Sequence, residues 1–379
     1  MIDELAPFRE RTFAEIVEQL EVLLSQSRPA FLLGAGCSTC AGLPLMTDLT
    51  KDVLVSTTLD SNSKNILQTI VQHFDGATTA TIEDYLSELV DWLSVAERRK
   101  ECASKQATVT LEGKAYTVDA LRRAIDDIKQ AIALRISKSI SISTHSQFVR
   151  AVHKTLQFGK LDSSLPVDYF LLNYDTVIED ALGLNRIPYS DGFCGGATGW
   201  WDITDYQKNG LAARVFKVHG SVDWCLIDHD VLPRRLRPDI KISNSCEKVM
   251  IWPATTKYRE TQHDPFAQIL EVMRRRLRPE TNGELVLVVC GYSFGDAHIN
   301  LELARALTES SGRLTVVVLT DANEPTGVVA GWLKDANINS QLRVYAKRGF
   351  FHADAKVVST VDLPWWKFEV FTRLLGGER

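Results

Sequence analysis

The 379-residue chain has no apolar run approaching the roughly 18–20 residues that cross a bilayer, so no membrane-spanning helix is expected. It has no surplus of positive charge. Lys and Arg number 43 against 48 Asp and Glu, for a formal net charge of -5, and the footprint of a sequence-specific nucleic-acid binder is missing. There is no Walker A sequence, so any ATP-driven step has to come from another polypeptide. The opening residues, MIDELAPFRERTF, are polar and mixed in charge, unlike a signal or transit peptide. Cysteines number seven, scattered at 37, 40, 102, 194, 225, 246 and 290. That usage predicts reduced thiols and a cytoplasmic chain. Only Cys37 and Cys40 have Cys-x-x-Cys spacing. A structural zinc site needs a second pair, and none is present, so no metal is expected. A redox pair and plain packing residues stay open.

What is present is a set of short apolar runs ending in Gly, Asn or His. They lie at 30–34, 167–173, 213–219, 249–253, 284–291, 314–320 and 341–346. Several are apolar on both alternating faces, as strands between two helix layers must be. Helical patterns separate them. Thr12-x-x-Glu15 has the form of a capping box ahead of Ile16, Val17, Leu20 and Leu24. The alternation predicts an α/β fold with a Rossmann-like, doubly wound, mostly parallel sheet. Between the first and second strands the periods are helical only, with stripes at Ile82, Tyr85, Leu86, Leu89, Leu93 and at Leu121, Ile125, Ile128, Ile132. A crossover needs far less chain. The expected division is residues 1–50 and 151–346 as the nucleotide-binding body, 51–150 as a helical insertion, and 347–379 as a C-terminal tail. Residues 185–212, rich in Gly and aromatics, read as a loop or small subdomain near the strand ends. Arg274, Arg275, Arg276 and Arg278 read as a solvated helix face, the alternative being a phosphate or subunit contact.

The chemistry-bearing stretches sit at strand ends, where open α/β sheets form ligand sites. After the first strand, Gly34-Ala35-Gly36 and Ser38 form a turn suited to a pyrophosphate, or an ordinary strand–helix turn. After the second come Asn173, Tyr174 and Asp175. Asn suits orienting a water or a ribose hydroxyl, Asp suits stabilising positive charge, and a helix-capping turn is the plain alternative. His219-Gly220-Ser221 ends the third, placing a plausible general base. Gly291-Tyr292-Ser293 ends another strand, with Asp296 as a cap; His298 and Asn300 read as packing or capping residues. Asp321 stands just past a strand end, where an acid takes ribose hydroxyls.

In order, G-A-G-x-S…G-L-P, N-Y-D, H-G-S and G-Y-S-F-x-D resemble the sirtuin family, and more closely its bacterial sirtuin-like NAD-hydrolysing branch. The resemblance covers about 30–60 and 165–325. It implies that Gly34, Ala35, Gly36 and Ser38 wrap the NAD pyrophosphate, with Gly42, Leu43 and Pro44 lining the site. It implies Asn173 and Asp175 at the nicotinamide ribose, His219 as the catalytic histidine, and Gly291 and Ser293 by the adenine-side ribose. Two features depart from sirtuin deacylases. Leu45-Met46-Thr47 replaces Asp-Phe-Arg after Gly-Leu-Pro, and the four-cysteine zinc ribbon is missing.

The expectation is therefore an NAD+ glycohydrolase, with NAD as substrate, releasing nicotinamide and ADP-ribose. By resemblance it acts in bacterial antiphage defence and works as a homo-oligomer or with a separate HerA-type ATPase. The insertion and the aromatic tail (Trp365, Trp366, Phe368, Phe371) are the expected contact regions, unless the tail docks on its own core. The alternatives are an NAD-dependent protein deacylase and a non-catalytic NAD or ADP-ribose sensor.

Overall fold

The computed structural model describes residues 3–74, 80–102, 108–137, 140–156, 165–227, 230–236, 246–251, 263–279 and 283–378, without the side chains of Cys246 and Glu247. In chain order the strands are β1 (Arg28–Leu33), β2 (Thr108–Leu111), β3 (Lys114–Thr117), β4 (Val167–Leu171), β5 (Tyr189–Ser190), β6 (Phe193–Cys194), β7 (Gly199–Trp201), β8 (Ala213–Lys217), β9 (Gly220–Ile227), β10 (Arg234–Arg235), β11 (Cys246–Met250), β12 (Leu285–Cys290), β13 (Leu314–Thr320), β14 (Leu342–Ala346), β15 (Gly349–His352) and β16 (Ala355–Val358). The main sheet has nine strands in the order β16-β15-β14-β13-β12-β1-β4-β8-β5. It is parallel from β14 to β5 and antiparallel only at β14–β15–β16. The expected α/β class with a mostly parallel sheet is what the structure shows.

The central strands are apolar on both faces because helices cover both. Every residue of β4, β8 and β12 is buried. One layer joins α1 (Arg11–Gln26), α6 (Ser143–Arg150), α7 (Val177–Leu184) and α11 (Phe368–Leu375) to the sheet. The other consists of α8 (Phe266–Arg276), α9 (Ala297–Glu309) and α10 (Gly327–Lys334). In α1 the stripe Phe13, Ile16, Val17, Leu20 and Leu24 is buried as its period requires. The capping box expected at Thr12 is not there, because the helix has already begun at Arg11. The box forms instead at Thr81 and Asp84, ahead of α4 (Ile82–Glu101).

The insertion has its own core. It is built from α2 (Met46–Leu54), α3 (Ser61–Val71), α4 and α5 (Val118–Ile136), and Tyr174 and Met250 of the main body join it. It is not purely helical, since β2 and β3 form an antiparallel hairpin within it. Helix α6 packs against the main sheet, so the insertion's core closes before residue 143.

Two further expectations change. The run 249–253 is not a strand of the main sheet. Its β11 part belongs to a second sheet, ordered β11-β9-β10-β7-β6, and residues 252–253 lie outside the described residues. At Gly220 (φ +83) the chain passes from the main sheet into the second, where β9 pairs antiparallel with β11. A Cβ at Gly220 would meet the Val249 carbonyl oxygen at 2.3 Å, so the turn needs glycine both for its dihedral and for its space. The tail is also no free appendage. β15 and β16 extend the main sheet, while Trp365, Phe368 and Phe371 are buried in its core. Cys37, Cys40, Cys102, Cys194 and Cys290 are free thiols. Cys225, fully buried on β9, is disulfide-bonded, against the all-thiol expectation.

Candidate functional site

At the C-terminal ends of β1, β4, β8, β12 and β13 a cavity of about 1000 Å³ opens. It brings together Gly34, Ala35, Gly36, Ser38, Leu43, Pro44, Asn173, Asp175, His219, Gly291, Ser293 and Asp321. Gly42 does not line it. With φ +87, Gly42 caps the short 3-10 helix Ala35–Ala41, its N–H reaching the Ser38 and Thr39 carbonyls.

The Gly-x-Gly turn is held by its neighbour across the sheet. The Gly34 N–H donates to Cys290 O at 2.9 Å and the Gly36 N–H to Gly291 O at 3.0 Å. A Cβ on Gly34 would lie 2.4 Å from the Gly291 oxygen, and one on Gly36 2.8 Å from Gly291 Cα. These glycines therefore serve the close approach of two strand-end turns. Beside them, Cys37 donates to Cys290 O at 3.2 Å, and burial pushes its thiol well above the usual range. Cys40 is pushed up to about 11, chiefly by burial. Such thiols are inert packing groups at neutral pH.

Ser38 is the hub of the site. Its hydroxyl donates to Asp175 Oδ2 at 2.8 Å and accepts from Asn173 Nδ2 at 2.7 Å. Asp175 Oδ1 accepts from the Val177 N–H at 3.1 Å and so starts α7. Asn173 Oδ1 is buried, without a hydrogen-bond partner among the described residues. An orphaned acceptor in a cavity wall has the chemistry to receive a donor from a bound molecule.

His219 is 3% exposed. Its backbone oxygen accepts from the Ile251 N–H at 2.8 Å, and its Nε2 lies 3.3 Å from Nε2 of His298. His298, read from sequence as a packing residue, is thus the ring beside the candidate base. Its position in the first turn of α9, just past the Gly291 turn, was the available signal.

Under the site lies a charged group that apolar patterning hides. Lys217 is 1% exposed; its ammonium donates to the Asp175 carbonyl oxygen and stands 3.5 Å from Glu179. Burial pushes the Glu179 carboxyl up to about 8, with Lys217 opposing that shift. A lone lysine in the otherwise apolar VFKVH run was the only trace of this arrangement in the sequence.

Two walls come from segments outside the expected nucleotide-binding body. Thr81, Glu83 and Asp84 come from the start of α4, and Trp366, Lys367, Phe368 and Glu369 from the C-terminal segment. Among the described residues the lining carries six acidic residues, Glu83, Asp84, Asp175, Asp296, Asp321 and Glu369, and one lysine, Lys367, which is paired with Glu4. Such a lining favours developing positive charge and leaves an anionic group to backbone N–H donors. Among the described residues no group of three or more His, Cys, Asp or Glu is placed to hold a metal, and no helix is long and apolar enough to cross a membrane.

The sheet, the strand-end turns and the cavity define an α/β protein with a cavity at the C-terminal edge of its main sheet. Residues 168–340 match the family model described as a SIR2-like domain. Among solved structures, the chain is similar to two ADP-ribose complexes of Sir2 homologue mutants, one histidine-to-asparagine and one serine-to-alanine. Each is 12% identical and covers 95% of both chains, with TM-scores of 0.43 and 0.42. No curated protein matches the chain.

Proposed function

We propose that this chain is an NAD+ glycohydrolase that releases nicotinamide and ADP-ribose. One observation carries the reading. The unpartnered Asn173 Oδ1 and the buried His219 stand at the ends of adjacent strands, β4 and β8, on one cavity shared with the Gly34–Ser38 turn. The SIR2-like match over 168–340 and the ordered strand-end motifs support it.

In this mechanism the bond from ribose C1′ to the nicotinamide nitrogen breaks, and its electron pair leaves with nicotinamide. The C1′ centre becomes oxocarbenium-like, as in glycoside hydrolysis. The carboxylates around the cavity stabilise that charge electrostatically. Asn173 Oδ1 accepts from the attacking water or a ribose hydroxyl and fixes its position. His219 takes the proton released as water adds to C1′. Asp175 acts through Ser38, because both of its oxygens are already engaged. Leu45-Met46-Thr47 lines the wall where sirtuin deacylases carry Asp-Phe-Arg, which supports hydrolysis over acyl-lysine chemistry.

Unchecked, such an activity drains cellular NAD, and we place it in bacterial antiphage defence, gated by self-assembly or by a HerA-type ATPase. The insertion's contribution to the cavity wall makes it the natural lever. The test is NAD+ consumption by the purified chain, alone and with the ATPase. Hydrolysis without any acyl-lysine peptide is expected, lost in His219→Ala and Asn173→Ala. Full activity in either variant overturns the mechanism. Turnover only with an acyl-lysine peptide assigns a deacylase, and binding without cleavage assigns a sensor.

A further inference from the structure

A second charged cluster lies at the opposite end of the same strands. Arg28, Asp168 and Arg214 occupy the N-terminal ends of β1, β4 and β8. Side chains alternate faces along a strand. Arg28 therefore shares a face with Ala30 and Leu32, Asp168 with Phe170 and Leu172, and Arg214 with Phe216 and Val218. All six of those apolar residues belong to the core that also takes Ile269 and Met273 of α8. The three charged residues thus meet under the C-terminal end of α8, where Arg276 stands.

Asp168 is 1% exposed and receives both strand arginines, Arg28 Nη2 at 2.5 Å and Arg214 Nε at 2.6 Å. Among the described residues it is their one carboxylate partner. Arg214 is 4% exposed, yet among the described residues its Nη2 has no hydrogen-bond partner, and neither has the buried Nε of Arg28. The arginine run on α8 resolves unevenly. Arg274 is paired with Glu302, Arg275 with Glu271 and Arg278 with Glu309. Arg276 has no ion pair among the described residues. Burial, followed by the nearby Arg214, lowers its proton affinity, and Arg28 adds to the effect while Asp168 opposes it. Three guanidinium groups, all permanently charged, therefore surround one carboxylate. Uncompensated buried charge of this kind calls for a counter-ion, and the guanidinium fork fits oxyanions.

We propose that Arg28, Arg214 and Arg276 form a binding site for a phosphate-class oxyanion. From Asp168 to Asn173 is five residue steps along β4, about 16 Å, so the site is separate from the cavity and independent of the reading given for it. β8 connects the two, with Arg214 at one end and His219 just beyond the other.

The experiment is a titration of the full chain with inorganic phosphate, read as melting temperature against sodium chloride of equal ionic strength. A saturable rise is expected in the wild type and in Asn173→Ala. Arg276→Gln, at a half-exposed position, is expected to weaken phosphate at least tenfold. Arg276→Glu supplies an internal carboxylate, so it should melt higher than wild type without phosphate and show no further rise with it. A parallel titration with AMP separates the sources: tighter binding than phosphate, lost in Arg276→Gln, assigns a nucleotide phosphate, and equal binding assigns the free ion. No saturable rise in the wild type, or undiminished phosphate affinity in Arg276→Gln, overturns the proposal.

Discussion

Asn173 and Ser38, on adjacent strand ends, are joined by a hydrogen bond of 2.7 Å from the side-chain amide to the hydroxyl. The bond decides which Asn173 atom is spent on structure. The Nδ2 group is held, and Oδ1 has no hydrogen-bond partner among the described residues. Removing the hydroxyl should leave the asparagine in place but free to rotate. Ser38→Ala is expected to lower kcat for NAD+ hydrolysis about tenfold to a hundredfold, as misplacement of a reacting group does, with a small change in melting temperature. Steady-state kinetics beside thermal denaturation check it.

Glu179 should leave a signature in the pH dependence of stability. Its folded-state proton affinity is raised, to about 8 from 4.5, first by burial. Between those values the unfolded chain has released the proton that the folded chain keeps, so this group's contribution to stability falls as pH rises through the window. Glu179→Gln stays neutral in both states. The difference in urea-unfolding free energy between variant and wild type should therefore grow in the variant's favour from pH 5 to pH 8, by at most about 1.4 kcal/mol per pH unit.

The glycines of the first turn separate space from dihedral. Gly34→Ala drives a Cβ onto the Gly291 carbonyl oxygen at 2.4 Å and should cost about 1–3 kcal/mol, as overpacking does, with loss of NAD+ hydrolysis. Gly42→Ala meets no atom within 4 Å but must hold φ +87. It should cost only about 1 kcal/mol, with activity largely kept. Chemical denaturation and NAD+ consumption on the two variants distinguish these outcomes.

Trp365 tests whether the C-terminal segment belongs to the fold. It is 1% exposed, stacks on Phe8 with ring centroids 5.5 Å apart, and donates its indole N–H to Ala346 O at 2.9 Å. Trp365→Ala should cost about 3–5 kcal/mol, measured by denaturant unfolding. A change under about 1 kcal/mol, the range of surface substitutions, would return the segment to the status of an appendage.

The strand ends were legible because buried parallel strands carry unbroken apolar runs, and the polar residues that stop them are the ones that line the cavity. Asn173, His219 and Gly291 were found that way. The second sheet was not, since β6, β7 and β10 are two or three residues long, too short for a period. The run at 249–253 misled because its apolar pattern does not say which sheet it joins. Lys217 and Glu179 escaped because a buried pair of titratable groups is written in two separated segments and completed only by packing. The cavity walls at 81–84 and 366–369 arise wholly from long-range contact, which one sequence does not display.

The position of β1 has a consequence for what counts as the unit of this protein. It lies between β12 and β4, bonded to both along its length. The SIR2-like segment, 168–340, contains β12 and nearly all of β4, but not the strand between them. Expressed alone, it would carry two bare strand edges where the sheet's centre should be, together with an apolar core opened along that seam. Ancestry can be traced through a stretch of chain that cannot itself close a sheet. Here the thirty-odd N-terminal residues act as the wedge that turns two half-sheets into one protein.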